Sequence, residues 1–422
     1  MSKQAKIVIV GAGFGGISLA KSLANKNVDV VLIDRNNYHT FQPLLYQVAT
    51  GGLEPSNIAY PIRRIFRRRK NIHFRMAEVE GVDYNENRIV TSTGMVPFDY
   101  LVVATGSTNN FFNFFPIKNS FKSLKTVSQA LDIRNSLMQK LEKLTTSTDK
   151  DLKEEGLNVS IIGAGPAGVE VAGALAEMKR KVLPKDFPEF DFSRMHVYLF
   201  EAGDRVLANM SIDSSKASKK YLEEMGVNVV LNAKVKNYEN NQIFLEDEST
   251  YKSSTVIWTA GVQASPLAGV PVEELVAGKR IKVNEFNQVT DHPNIFAIGD
   301  VAAHLDVKNP RGIPMLAQGA VQQGKHLAKN ILRLEKNQEL LPFVYKDKGV
   351  MATVGRNKAV VDLPRFKFQG FFAWFVWMFV HLMALVGFRN KIITFIDWAQ
   401  NYFNSDRPLG AIIKKVEDEA GN

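Results

Sequence analysis

Short, wholly apolar runs alternate along most of the chain with stretches of helical periodicity. Val8-Ile9-Val10 is β-branched and unbroken, the pattern of a parallel strand buried on both faces. A helix is predicted over Ile17–Asn25, then a strand over Val28–Ile33 that ends at Asp34. The same order recurs downstream. A strand over Asn158–Ile162 leads to a helix over Val169–Met178, and a further strand over His196–Phe200 ends at Glu201. A charged, proline-containing insert, Lys179–Arg194, lengthens that second crossover. Two more strand ends, Leu101-Val102-Val103-Ala104-Thr105-Gly106 and Val256-Ile257-Trp258-Thr259-Ala260-Gly261, finish in small residues. Leu144–Glu155 is polar and reads as a solvated loop. Strand–helix–strand repetition predicts an α/β fold with parallel sheets.

The turns between these elements carry the first candidate chemistry. Gly11-Ala12-Gly13-Phe14-Gly15-Gly16 and Gly163-Ala164-Gly165-Pro166-Ala167-Gly168 both match G-x-G-x-x-G between strand and helix. Gly11 and Gly163 suit the tight turn. Gly13 and Gly165 let backbone approach a pyrophosphate, and Gly16 and Gly168 let helix pack on strand. Each helix N-terminus favours the diphosphate. Asp34, 18 positions beyond Gly16, and Glu201 are placed to accept from a ribose hydroxyl. An acid at 201 repels a 2′-phosphate, which favours NADH over NADPH; Arg205 nearby pulls the other way. Two Rossmann-like dinucleotide-binding domains imply two dinucleotides that must meet for chemistry, and a flavin and a nicotinamide are the obvious pair.

Composition sharpens this. The chain has 422 residues, enough for two or three domains, and its apolar (45%) and charged (23%) fractions are those of a globular protein. It has no cysteine. Disulfides, thiolate nucleophiles, iron–sulfur clusters and Cys-ligated zinc are therefore excluded, and no metal site is expected. Redox chemistry has to be carried by a bound cofactor. The net charge of +10 suits an anionic partner. The basic run Arg63, Arg64, Arg67, Arg68, Arg69 and Lys70 has no recognisable nucleic-acid-binding module around it, so no nucleic acid is expected. Strand pattern begins at the first residues with no targeting peptide visible, which predicts a cytosolic start.

A third segment, Thr290-Asp291-His292-Pro293-Asn294-Ile295-Phe296-Ala297-Ile298-Gly299-Asp300, resembles the FAD-dependent pyridine-nucleotide oxidoreductases with two dinucleotide-binding domains. The resemblance implies that Gly299 and Asp300 meet the ribityl and phosphate region of FAD. It also implies one discontinuous FAD domain (1–110 and 287–345) with an NADH domain inserted (111–286). Thr105, Gly106 and Gly261 are strand-end residues at which backbone can lie against a cofactor. Zero cysteine removes the relatives that use a redox disulfide.

Phe41-Gln42-Pro43-Leu44-Leu45-Tyr46-Gln47-Val48-Ala49-Thr50-Gly51 and Ala317-Gln318-Gly319-Ala320-Val321-Gln322 closely resemble segments of the type II NADH:quinone oxidoreductases, the single-subunit, non-proton-pumping NADH dehydrogenases of respiratory membranes. This implies hydride transfer from NADH to FAD, then two electrons to ubiquinone or menaquinone. Ala317 falls in the cofactor-contacting segment. Pro314 is placed to start a helix, and Gln318 and Gln322, at i and i+4, then share one face. By resemblance they line the quinone pocket. Glu170, early in the second helix, is the candidate for orienting the nicotinamide or handling protons; its position also suits the helix dipole alone. His39 is given no catalytic part. A soluble ferredoxin- or rubredoxin-reductase-like flavoprotein and a redox interaction protein like apoptosis-inducing flavoproteins are the alternatives.

The remainder, 346–422, predicts a hairpin around Gly355-Arg356-Asn357 and then a membrane-anchoring helical segment. Phe371–Phe388 is almost wholly apolar, with His381 its only ionisable residue. As one helix it would span about 27 Å. A second helix is amphipathic, with Ile392, Phe395, Ile396, Ala399, Tyr402 and Phe403 on one face, opposite Thr394, Asp397 and Asn401. A monotopic anchor on membrane lipids, at the cytoplasmic face of the cell membrane, is the expectation; a transmembrane helix and a buried core or dimer helix are the other readings. Trp374, Trp377 and Trp398 suit a headgroup boundary. The family resemblance further implies a homodimer through C-terminal elements.

Overall fold

The computed structural model describes residues 4–112, 120–147, 156–269, 275–404 and 412. The predicted loop at 144–155 lies outside them from residue 148 onward. Five helices position the sites: α1 (Phe14–Leu23), α2 (Pro166–Lys181), α3 (Ala317–Leu334), α4 (Phe371–Ala384) and α5 (Phe388–Asn404). Both glycine-motif helices start inside their motifs, earlier than the periodicity predicts, because apolar spacing does not register the first turn after a glycine.

The chain divides into two units. The first comprises Met1–Thr40, Tyr60–Thr108 and Val262–Lys348. Its sheet runs, by strand, Leu275–Val276, Arg280–Val283, Gln288–Val289, His292–Ala297, Tyr100–Val103, Lys6–Val10, Asp29–Asp34, Ile72–Met76. Lys6–Val10 pairs in parallel with both Asp29–Asp34 and Tyr100–Val103. Ile7 and Ile9 pack with Leu19 and Leu23 of α1 and Leu327 and Ile331 of α3, while Val8 and Val10 face Val31, Ile33, Leu101 and Val103. Both faces of the strand are buried, which is why its sequence does not alternate.

The second unit comprises Phe41–Ala59, Asn109–Gly261 and Gly349–Asn422. Its five-stranded parallel sheet has the order Lys122–Ser123, Thr255–Trp258, Val159–Ile162, Val197–Phe200, Val227–Val230. A three-stranded antiparallel sheet, Val350–Gly355, Lys358–Asp362 and Lys367–Gly370, packs against α2. The approach is closest at Gly173, where a Cβ would fall 1.6 Å from the Val354 carbonyl oxygen.

These units differ from the sequence-based boundaries in three places. Leu275–Val276 and Arg280–Val283 pair in the first unit's sheet, although the sequence reading placed them in the NADH domain. Residues 41–59 pack with the second unit rather than with the strands that precede them. The C-terminal 349–404 also clusters with that unit.

The apolar C-terminal stretch is not one helix. α4 stops at Ala384, Leu385 leaves helical geometry (ψ 143°), and Gly387 takes φ +88°. Its 14 residues span about 21 Å, short of the roughly 30 Å of a bilayer core. Among the described residues no helix is long and apolar enough to cross a membrane, which overturns the transmembrane reading.

Candidate functional site

The two glycine motifs are built alike. In the first unit Gly11 takes φ +106°, and a Cβ there would lie 2.3 Å from the Ala104 carbonyl oxygen. A Cβ on Gly16 would fall 1.9 Å from Gly11 O, so strand, turn and helix close only over hydrogen atoms. A Cβ on Gly13 would meet nothing within 4 Å, which leaves open space in front of the loop. Asp34 ties the loop down: Ala12 N–H donates to Oδ2 at 2.7 Å and Asn36 N–H to Oδ1 at 2.8 Å. His39, buried, bonds Ala12 O through Nδ1 at 2.8 Å. Burial holds its pKa below the ordinary value, so a neutral imidazole pins the carbonyl on the loop's other side. That locking role is the one the sequence did not suggest for His39.

The second unit repeats the device. Gly163 has φ +100°, a Cβ on Gly168 would lie 1.9 Å from Gly163 O, and Gly165 faces open space. Glu201 accepts from Ala164 N–H at 2.7 Å and from Gly203 N–H at 2.9 Å. Thr259, just before Gly261 (φ +92°), donates its hydroxyl to Gly163 O at 2.8 Å. Thr259 was named only as part of a strand end. Arg205 donates to the carbonyls of Met210 and Ala208 at 3.1 and 2.6 Å, which directs it at backbone rather than outward toward a phosphate.

Around the first loop the unit gathers most of the remaining candidates. Ser107 Oγ donates to Asp300 Oδ2 at 2.5 Å. Thr105 donates to Ser265 O at 2.6 Å, and Gly106 takes φ +70° with open space beside it. Gly299 (φ +76°) donates its N–H to Gln323 Oε1 at 2.8 Å. Gln323 is fully buried and also donates to Asn287 at 2.8 Å. Buried Arg280, bonded to the carbonyls of Ala302 and Ile313, adds positive charge toward Asp300. Ser107, Arg280 and Gln323 lie in no motif; only tertiary packing brings them to Gly299 and Asp300.

α3 begins at Ala317, after Pro314, and keeps Gln318 and Gln322 one turn apart. Both amides are engaged. Gln318 accepts from Lys348 N–H at 2.9 Å and donates to Asp347 at 3.3 Å. Gln322 bonds both backbone groups of Lys346, at 2.9 and 3.0 Å. His326 and Asn330 continue the row one and two turns on, both bonding Leu341 O. An extended segment of chain is thus clasped by a ladder of side chains at helical spacing.

A cavity of about 110 Å³ lies within the second unit. Its walls include Tyr46 and Gln47 from the 41–51 segment, Glu170 from α2, Trp374 and Trp377 from α4, and Trp398 from α5. Gln47 is fixed by Trp398 Nε1–H at 2.7 Å and itself donates to Tyr46 at 2.8 Å. Glu170 is almost wholly buried. Burial pushes its pKa well up, and the backbone N–H of Thr353 offsets this only in part. Its surroundings therefore favour the protonated carboxyl, which can donate.

α5 is inverted relative to a soluble helix. Its polar side faces the protein: Asn390 donates to Ser56 O and Asn57 O at 2.9 Å, Asn57 donates to Asp397, and Asn401 donates to Gly52 O at 2.9 Å. Ile392, Phe395, Ile396 and Phe403 stand exposed, with Phe403 80% accessible. Tyr402 departs from the predicted face, since the Arg356 guanidinium stacks 3.8 Å from its ring centroid. On α4, Phe371, Phe372, Phe375, Phe379, Val380 and Met383 are exposed. The tryptophans correct the headgroup expectation: Trp377 and Trp398 are buried against the cavity, and phenylalanines form the outer surface.

Residues 5–324 match the family model of the pyridine nucleotide-disulphide oxidoreductases, and residues 348–405 match the NDH2 C-terminal domain. The chain is 34% identical, over 96% of its length and 89% of the relative's, to the type II NADH:quinone oxidoreductase Ndh of Mycobacterium tuberculosis. It is 31% identical to the Haemophilus influenzae type II NADH:quinone oxidoreductase, covering 94% of this chain and 98% of that one. The chain belongs to the type II NADH:quinone oxidoreductases. The fold agrees: NDH2 of Plasmodium falciparum in complex with NADH superposes with a TM-score of 0.89 at 23% identity, over 98% of this chain and all of that one. The sulfide:quinone oxidoreductase of Aquifex aeolicus shares the fold more loosely, with a TM-score of 0.70 at 21% identity over 94% of this chain and 95% of that one. Membership in the type II family decides against the ferredoxin-reductase-like and interaction-protein readings.

Proposed function

We propose that this family member oxidises NADH and reduces a membrane quinone through FAD, without pumping protons. The observation that carries the reading is the pair of matched glycine cradles in a chain without cysteine. Two dinucleotides can be held, and electrons have no disulfide to pass through. The residues fit FAD in the first unit: Gly13 and Gly106 leave room for its diphosphate side, α1 starts within the glycine loop so that its N-terminal end favours an anion, and Asp300 with Ser107 suits the ribityl region. The chemistry that FAD supplies when bound is acceptance of a hydride and delivery of two electrons to a quinone. In the second unit, Gly165 leaves space for the NADH pyrophosphate and Glu201 is the ribose acid. With Arg205 held by carbonyls, no cation there favours a 2′-phosphate, which supports NADH over NADPH.

The Glu170 cavity takes the quinone ring in this proposal. Its aromatic walls suit a planar apolar ring, and the neutral carboxyl can donate to a quinone oxygen. Gln318 and Gln322 keep their proposed quinone-facing part from the family segment, but a quinone carbonyl would compete with Asp347 and Lys346 for their N–H groups. The exposed faces of α4 and α5 enter one leaflet from the cytoplasmic side. So large an apolar patch calls for a cover, and a lipid surface also holds the substrate. The homodimer belongs to the same proposal.

Anaerobic stopped-flow separates the steps. NADH should bleach the flavin band, and a quinone analogue should restore it. Glu170→Gln should slow the second phase and spare the first. Equal slowing of both, or no reoxidation of wild type by any quinone, would overturn the proposal.

A further inference from the structure

We propose that the cationic run at residues 63–70 is a docking surface for anionic phospholipid headgroups, distinct from the apolar faces of α4 and α5; this rests on the reading that those helices enter lipid. Arg63, Arg64, Arg67, Arg68, Arg69 and Lys70 are all exposed, on and just after the helical turn Ile62–Ile65. Ile62 and Phe66 between them are buried in the core of the first unit. The charges are therefore displayed from a pinned segment and not from a floppy loop. Among the described residues none of the six has a carboxylate within 4.0 Å, whereas Arg88 in the same unit pairs with Asp83 at 3.0 Å. Arg63 packs its guanidinium 5.2 Å from the Phe74 ring centroid. An ordinary solvated surface intersperses both signs. Here the eight positions hold six cations and no anion, so the charges repel one another until an anionic partner relieves them.

Chain connectivity selects lipid over other polyanions. Ser56 and Asn57 receive the Asn390 side chain of α5, whose outer face is apolar. Arg63 follows Asn57 by six residues, and six residues of chain reach at most about 22 Å. The chain itself therefore holds the run within that reach of Asn57. Arginine predominates, and its guanidinium fork matches phosphate bidentately.

The test is flotation of full-length protein with phosphatidylcholine vesicles, with and without about a quarter phosphatidylglycerol, at low and high salt. Each cation reaching the surface strengthens binding roughly fivefold, so three of them give about a hundredfold preference for the anionic vesicles. High salt should remove that preference and leave the basal binding. A variant with all six changed to glutamine should bind both vesicles as wild type binds neutral ones. Its NADH oxidation with a water-soluble quinone should be unchanged, which guards against misfolding; Arg67→Gln with Arg68→Gln alone should be intermediate. Equal wild-type affinity for both vesicles would overturn the inference while leaving the membrane reading intact. Tight binding of a short DNA duplex alongside equal vesicle affinities would overturn it in favour of a nucleic-acid surface. Wild type that floats with neither vesicle would instead refute the membrane reading beneath it.

Discussion

Gly173→Ala tests the packing that holds Glu170 in place. Gly173 lies one turn beyond Glu170 on α2, and its missing side chain admits the strand Val350–Gly355. A Cβ there would stand 1.6 Å from Val354 O and 2.7 Å from Val354 C. Ordinary contact begins at 3.4 Å, so helix and strand must part by about 1.8 Å. The obstacle is backbone, which cannot turn aside as a flexible side chain can. Overpacking of this kind costs about 1–3 kcal/mol. Weakening the bond from Thr353 N–H to Glu170 adds about 0.5–1.5 kcal/mol. Alanine's better helix propensity returns up to about 1 kcal/mol, too little to change the sign. The net cost is about 0.5–4.5 kcal/mol, a fall in Tm of roughly 1–18 °C at about 2–4 °C per kcal/mol for a unit of this size. Because the strand also carries Thr353 into the cavity wall, flavin reoxidation by quinone should slow more than flavin reduction by NADH. Thermal unfolding by circular dichroism and the two stopped-flow phases measure both. A variant with wild-type Tm and wild-type reoxidation would show that this close approach is not what fixes the cavity.

Gly165→Ala is the counterpart: its Cβ meets no protein atom, so Tm should stay within a degree or two of wild type while KM for NADH rises, and an unchanged KM would remove Gly165 from the nucleotide site. Glu170→Gln should flatten part of the pH dependence of stability. The folded carboxyl stays protonated while the unfolded one ionises above about 4.5, so wild type loses stability as pH rises from there toward the raised folded pKa; parallel wild-type and variant curves from denaturant titrations would contradict the shift. Gln318→Ala should slow reoxidation by quinone up to about tenfold, the worth of one neutral hydrogen bond, and spare reduction by NADH; equal slowing of both would mean that Gln318 acts by positioning the FAD unit. Serine at Phe375, Phe379 and Phe395 removes outward-facing side chains, so the fold should survive while membrane association weakens by about 1.5–3 kcal/mol per residue that enters lipid. Wild type should resist release by high salt and come off in alkaline carbonate; clean release by salt would mean that charge, not apolar burial, holds it.

The glycine motifs and their acids were legible because their chemistry is local. Gly11, Gly13, Gly16 and Asp34 lie within one strand–turn–helix–strand unit, and the same holds for Gly163, Gly165, Gly168 and Glu201. Backbone sterics allow few residues at such turns, so spacing alone identifies them. A Cβ on Gly16 and one on Gly168 would each fall 1.9 Å from the carbonyl oxygen of the loop's first glycine. The outward apolar face of α5 was also readable, since helical periodicity needs no tertiary information.

What only the tertiary structure decided depends on pairs far apart in the chain. Segment 41–59 follows Asp34, yet its buried polar groups are satisfied by Asn390, Trp398 and Asn401, more than three hundred residues on. Periodicity cannot carry a partner's address over that span. The tryptophans read as headgroup anchors because aromatic residues in an apolar helix suit an interface; packing against the cavity turned Trp377 and Trp398 inward. Gln318 and Gln322 shared a face as spacing required, but the partner of that face, the extended chain at 346–348, has no periodic signal. Gly173 lies in an ordinary helical pattern, and nothing beside it in sequence shows that a strand nearly two hundred residues later occupies the space of its missing side chain.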